Sequence, residues 1–382
     1  MLSKIAITGF EVSTALGDEM NIIWERLLNN ESALKEYEFL KNEKFRFTKA
    51  CINPSFPIDS TVGRGWKMTE SCIEKLIDKS KISLPKNTSV FIGSTLGESA
   101  VFEDAASNLE IDTENNFADS WAKKIASKYN LNGHTIAFGN ACAAGNYAVG
   151  QAASYMQHFD IDVAIAGASE PFSKIAMTGF NRSRAMSNDY CKPFDKNKNG
   201  MVLGEGAAFF LLEKLEHALA RGAKIYAIVN ALGLSCDAYH STTPKPDGTG
   251  MKKAMQNALK IADLQASDIN WVCAHGSGTT TSDTAESNAI ENLFIKNQPY
   301  VSGYKGAFGH TLGAATAIEL AICIKGMQEN YIPQSTNFTE LSENVNLNMC
   351  SKNIKTTIQT VMNCGYAFGG INSALIISKY NN

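Results

Sequence analysis

No stretch of this 382-residue sequence approaches the ~18 consecutive apolar residues of a membrane helix. The best candidate, Ala314 to Met327, is broken by Glu319 and Lys325. At the start, MLSKIAITGF has too short an apolar run for a secretory leader and lacks a small-residue cleavage site. A soluble, unexported protein is expected. Surplus positive charge is also missing: the net charge is −3, and neutralising phosphates needs a basic surface, so nucleic acid is excluded as the main partner. The nine cysteines are odd in number and none forms a CxxC pair, which argues against a zinc site or a disulfide framework and for a reducing cytoplasm. Cys72, Cys273 and Cys323 lie in apolar surroundings and read as core filler. Neither a low-complexity tail nor a flexible linker interrupts the chain.

What is present is an ordinary globular composition, 44% apolar and 19% charged, in a chain long enough for two domains or one duplicated domain. Apolar runs and helical spacings alternate. Strands are expected over 2–9, 89–92, 135–139, 162–167, 207–213, 224–233, 270–274, 299–302 and 373–379. Helices are expected over 18–29, 64–82, 142–158, 213–221, 248–262, 283–296 and 312–328, with a further helical stretch near 172–180. The stretch 94–120 is polar and acidic and reads as a lid or an interface. This alternation indicates an α/β fold with a parallel sheet covered by helices on both faces. Each half holds a strand, a corner rich in Gly and Ala with a reactive residue, and a helix, so an internal duplication is plausible.

Three corners carry the chemistry. Cys142 stands in HTIAFGNACAAGNYAVGQAA, where a strand gives way to a helix rich in small residues. A thiol at a helix N-terminus is biased toward thiolate by the dipole and the free amides. The small residues let that helix run close to its neighbours, so the thiol can sit at the end of a tunnel. By itself ACAAG fits a nucleophile or an inert buried cysteine. His275 in CAHGSGTTTSDTAE and His310 in KGAFGHTLGAATAIEL both follow apolar runs and precede glycines. Each fits a cavity-facing imidazole or a hydrogen-bonded core histidine. Lys305 can supply a fixed positive charge, with Glu286 as its expected partner. Near the end, Phe368-Gly-Gly lets the backbone approach a ligand closely and aim an amide at an oxyanion.

Taken together, these corners resemble the β-ketoacyl-acyl carrier protein synthases, condensing enzymes of the thiolase superfamily, and most closely the synthase I/II-type group of fatty acid and type II polyketide pathways. The motifs IAITGFEVSTALGDEMNIIWERLL, PFDKNKNGMVLGEGAAFFLLE, CDAYHSTTPKPDGTG, AHGSGTTTSDTAE, GHTLGAA and FGGINSAL occur in family order across nearly the whole chain. The resemblance implies a thiolase-like fold of duplicated αβαβα layers, with residues 1–222 carrying the nucleophile and 223–382 carrying both histidines. It implies decarboxylative Claisen condensation: Cys142 takes the acyl group, His275 and His310 serve malonyl decarboxylation and enolate stabilisation, and Lys305 with Glu286 positions His310. The amides of Cys142 and Phe368 would form the oxyanion hole, and Phe368 would gate the acyl tunnel. Thr279 and Ser277 would hold the pantetheine arm. No metal or organic cofactor is implied beyond phosphopantetheine brought by acyl carrier protein. The family works as a homodimer or with a chain-length-factor-like subunit.

Such a carrier is acidic, so basic residues are expected at the tunnel mouth. Arg64 and Lys67 lie where the family places them, and Arg182 and Arg184 are further candidates. The chain departs from the family in a shortened segment 98–128, a trimmed loop 186–192, Thr280 in place of the usual proline, and Ala residues flanking Cys142. These departures point to a specialised enzyme of secondary metabolism. Two other readings stay open: a non-extending acyltransferase or decarboxylase, and a non-catalytic chain-length-factor-like subunit.

Overall fold

The computed structural model describes residues 3–56, 63–99, 103, 117–343 and 345–381. Most of the stretch 94–120, expected to be a lid or an interface, lies outside these. Ten strands form one hydrogen-bonded sheet. The first five are β1 (Ile5–Thr14), β2 (Ser89–Gly93), β3 (Thr135–Phe138), β4 (Val163–Glu170) and β5 (Gly206–Lys214). The second five are β6 (Ala227–Cys236), β7 (Trp271–Cys273), β8 (Tyr300–Ser302), β9 (Thr360–Ala367) and β10 (Ile371–Ser378). Reading outward from the middle, one side runs β1-β5-β4-β2-β3 and the other β6-β10-β9-β7-β8, the same order shifted by five.

Strand directions repeat as well. On each side the two inner pairings are antiparallel and the two outer ones parallel. The sides meet where Ile5–Ile7 pairs antiparallel with residues 227–229. A wholly parallel sheet was expected, and the observed sheet is mixed. The reason is local in the second set: β9 and β10 are joined by the short turn Phe368–Gly370, which allows only a hairpin. Strand β9 itself escapes the apolar-run criterion because Asn363, Cys364 and Gly365 interrupt it, although all three are buried.

The helices that matter for the site are α1 (Met20–Leu28), α2 (Arg64–Ser80), α3 (Ala118–Lys128), α4 (Ala144–His158), α5 (Lys174–Ser183), α6 (Thr249–Ala262), α7 (Thr280–Leu293) and α8 (Ala315–Glu329). Helix α3 was not foreseen, since its polar face hides the apolar side formed by Trp121, Ala122 and Ile125. Helices α2 and α3 cover the outer face of the first strand set, and α6, backed by α7, covers that of the second. Helices α4 and α8 lie between the sets, each touching strands of both, which gives five layers, αβαβα.

This central layer explains two sequence features. Helix α8 is buried all round, from Ala315 to Met327 with only Lys325 reaching outward, so it lacks an amphipathic pattern. Helix α4 is rich in small residues because it crosses α8 at close range. A Cβ on Gly145 would stand 2.6 Å from the Ala317 amide nitrogen. The Asn146 amide donates to Thr316 Oγ1 at 2.8 Å. The close helix approach read from the sequence is therefore present.

Candidate active site

After β3 the chain passes through Gly139 and Asn140 into a single 3-10 turn, Ala141–Ala143, and then into α4. Ala141 has φ +47°, in the left-handed region that L-residues other than Gly, Asn and Asp seldom occupy. Backbone strain of this kind concentrates at functional corners. It turns Cys142 to the tip of the corner, ahead of the helix N-terminus. Cys142 is 8% exposed. Burial pushes its thiol up to about 12; the Lys305 ammonium opposes that shift and the Glu170 carboxylate adds to it. Burial thus works against the thiolate that a helix N-terminus favours, and desolvation outweighs the nearby positive charge.

His310 stands at a second corner of the same build. The 3-10 turn Leu312–Ala314 leads into α8, and Leu312 has φ +43°. The Leu312 amide donates to His310 Nδ1 at 3.1 Å. A ring nitrogen that accepts cannot carry the proton, so neutral His310 bears it on Nε2, as a donor. Burial first, and then the Lys305 charge, hold His310 well below its ordinary value of 6.5, so the neutral form prevails.

His275 follows β7 and is 3% exposed. Burial, Lys305 and His310, in that order, hold it well below 6.5 too. The two imidazole rings sit 5.2 Å apart between centroids, edge to face. From α7, Glu286 accepts the amides of His275 at 2.7 Å and Gly276 at 2.9 Å. That corrects one expectation, because Glu286 does not form the ion pair with Lys305. The partner is Glu319 on α8, whose carboxylate lies 2.6 Å from Lys305 Nζ with both side chains fully buried. Burial works against the ammonium, but Glu319 holds it above its ordinary value, while burial pushes the Glu319 carboxyl up to about 7 against the pull of Lys305. Lys305 also donates to the His275 carbonyl.

A cavity of about 390 Å³ brings together Cys142, His275, His310, Ser277, Thr279 and Phe368. Lys305 and Glu286 lie behind its wall. Ser277 and Thr279 share a hydroxyl hydrogen bond of 2.8 Å. Phe368 is 43% exposed and rests against Phe180 on α5, with centroids 5.6 Å apart. Gly369 and Gly370 follow at φ +80° and +72°, conformations that favour glycine.

The basic candidates separate. Arg64 is 2% exposed; its Nε donates to Glu205 at 2.8 Å and its Nη2 to the Asn53 carbonyl at 3.1 Å. It anchors α2 to the core and cannot meet a partner, which corrects the docking expectation. Lys67, one turn further along α2, is exposed, as are Arg182 and Arg184. Arg184 lines the cavity.

Two site residues escaped the sequence reading. Glu319 had a signal, since it is the charge that breaks the apolar run of α8. Glu170 closes the buried strand β4 and had none. Its carboxylate accepts the amides of Thr95 at 2.6 Å, Leu96 at 3.0 Å and Gly313 at 2.9 Å, and the Ser94 hydroxyl at 3.2 Å.

Comparison with known proteins gives a consistent picture. Residues 67–218 match the beta-ketoacyl synthase N-terminal domain, and residues 226–339 match the beta-ketoacyl synthase C-terminal domain. The chain is 30% identical to a 3-oxoacyl-[acyl-carrier-protein] synthase 2 of Rhizobium meliloti, covering 99% of both chains. It is also 30% identical to the protein of that name from Coxiella burnetii, covering 98% of each. Among solved structures, the ishigamide ketosynthase/chain length factor aligns with a TM-score of 0.93 at 28% identity over the full length of both chains.

Proposed function

From a chain that belongs to the β-ketoacyl synthase family, we infer the roles of individual residues in a decarboxylative condensation on acyl carrier protein. The protein is a β-ketoacyl-acyl carrier protein synthase of fatty acid or type II polyketide biosynthesis. Its substrates are thioesters on the carrier's phosphopantetheine. It works with acyl carrier protein and with a second subunit, its own copy or a chain-length-factor-like one. No helix among the described residues is long and apolar enough to cross a membrane, and we place the reaction in the cytoplasm. We assign residues 1–222 and 223–382 to two thiolase-like halves. The strand order shifted by five supports that division.

The observation that carries the assignment is the shared cavity of Cys142, His275 and His310. In the first step Cys142 Sγ attacks the acyl thioester carbonyl, the bond to the pantetheine sulfur breaks, and the Cys142 proton passes to that sulfur, which leaves as the thiol. The amides of Cys142 and Phe368 receive the negative charge on oxygen. Covalent capture divides one difficult condensation into two easier steps.

In the second step the malonyl carboxylate leaves as CO₂, and its bonding electrons pass into the thioester as an enolate. That charge needs neutral donors already in place rather than a strong base. His310, with its proton on Nε2, is such a donor, and His275 stands beside it. The enolate carbon then attacks the acyl-Cys142 carbonyl, and the sulfur departs and regains a proton. Burial first, and then the Lys305 ammonium, keeps both imidazoles neutral, and Lys305, itself paired with Glu319, holds the His275 carbonyl. Glu286 fixes the His275 backbone. Ser277 and Thr279 bind the pantetheine arm along the cavity. Arg184, which lines the cavity, and the exposed Lys67 attract the acidic carrier.

Intact-mass spectrometry of the wild type and Cys142→Ala with a panel of acyl-carrier proteins tests this. An acyl adduct on the wild type alone, and a β-ketoacyl product after malonyl-carrier is added, are expected. Acetyl-carrier as the sole product would replace condensation by simple decarboxylation. No adduct with any acyl group, even with candidate partner subunits present, would make this an idle subunit.

A further inference from the structure

Glu170 is fully buried, makes no ion pair among the described residues, and is used by no step above. An isolated buried carboxylate is costly, by several kcal/mol, unless donors satisfy it. Here four donors offset much of that cost, although burial still pushes the carboxyl up to about 7, and the donors come from two separate places. Oε1 accepts the Leu96 amide and the Ser94 hydroxyl, and Oε2 accepts the Thr95 and Gly313 amides. There is no room to spare at the junction: a Cβ on Gly313 would lie 2.6 Å from both Glu170 Oε2 and the Thr95 amide nitrogen.

Each place leads to one half of the reaction. Leu96 packs into the apolar cluster that contains Cys142, Met177, Met201 and Leu312, where an acyl group on the sulfur must lie. Gly313 is the residue after Leu312, whose amide holds His310 Nδ1. One carboxylate thus joins the backbone beside the acylated sulfur to the backbone that orients the decarboxylating imidazole.

We propose that Glu170 is a positioning residue that couples acyl occupancy of Cys142 to the setting of His310, so that extender decarboxylation is faster on the acylated enzyme. The proposal rests on the condensing reading above. Glutamine cannot replace Glu170, because its NH₂ would face amide donors that need an acceptor.

The experiment compares wild type, Glu170→Gln and the milder Ser94→Ala, which removes one donor and keeps the carboxylate. Three quantities are read: Cys142 acylation by intact mass, β-ketoacyl product, and the rate of CO₂ loss from malonyl-carrier with and without prior acylation. In wild type, prior acylation should speed CO₂ loss. In Glu170→Gln, acylation should stay within about threefold, condensation should fall about 100-fold, as misplacement of a reacting group by about 1 Å does, and the acceleration should disappear. Ser94→Ala should fold normally and lose part of the acceleration. Equal losses in acylation and condensation would show a purely structural role and overturn the proposal. So would an acceleration that survives in both variants, or one missing from a wild type that condenses. A wild type that takes no acyl group on Cys142 would overturn the condensing reading, and the coupling with it.

Discussion

Ala141 at φ +47° and Leu312 at φ +43° open two single 3-10 turns, each closed by an amide-to-carbonyl bond, Ala143 to Asn140 at 3.1 Å and Ala314 to Thr311 at 3.0 Å. Each turn runs into a 15-residue helix of the central layer. The backbones correspond, and the reactive residues do not. Cys142 comes one residue after the left-handed position and His310 two residues before it. The first offset puts a thiol at the head of a helix, where amides can receive charge. The second leaves an imidazole outside the helix, where the amide of the left-handed residue fixes its tautomer. Under the proposed function, one repeated corner thus yields a covalent acceptor or a neutral donor, depending on which residue bears the functional group.

The largest way to break this comparison is to remove the first functional group. Cys142→Ala should lower condensation by about 10⁴-fold or more, with no acyl adduct, while the fold and acetyl-carrier formation from malonyl-carrier persist. His310→Ala should do the reverse: the adduct forms, but decarboxylation falls about 10²–10³-fold, the usual effect of deleting one charge-stabilising donor. Equal loss of both half-reactions in either variant would dissolve the distinction between the corners.

Gly145→Val attacks the helix crossing that holds the corners together. The added side chain meets the Ala317 backbone, and overpacking of this kind costs about 1–3 kcal/mol. Denaturant titration measures it, and an unchanged midpoint would mean that the crossing is looser than described.

Protonation sharpens the comparison further. Folded His275 and His310 titrate below 6.5, so the unfolded chain takes up protons that the folded one refuses. Their contribution to stability is complete above about pH 6.5 and is lost as pH falls below it, by about 1.4 kcal/mol per pH unit for each ring. Unfolding titrations from pH 6.5 to about pH 5 should show a slope that His310→Gln reduces by one ring's worth and Cys142→Ala leaves alone. The smallest effect belongs to the surface. Lys67→Glu should weaken carrier binding several-fold through slower association and lessen its salt dependence. An unchanged salt dependence would remove Lys67 from the docking site.

Much of the site could be read in the chain because its parts are local. A strand end, a run of small residues and a thiol are neighbours in sequence around Cys142, and glycines adjoin His275, His310 and Phe368 in the same local way. Helix boundaries fall within a few residues of expectation for α2 and α6, where apolar spacing is regular, and for α8, which a long, nearly unbroken apolar run marks. Strand β9 and helix α3 did not, because polar residues in β9 are satisfied by distant partners. Asn363 Nδ2, for example, donates to Asn146 Oδ1 at 2.9 Å, across 217 residues.

The α/β class, the ordered family motifs, and the thiol and two imidazoles that share the cavity are all legible in the chain, because each is encoded within a few consecutive residues. Packing alone settles that Lys305 pairs with Glu319 and not Glu286, that Arg64 is buried against Glu205, that burial raises the Cys142 thiol, and that Glu170 bridges two corners. Those outcomes depend on which side chains meet across the central layer and how much water is excluded there. Distance and dielectric are properties of the packed fold rather than of any segment of the chain.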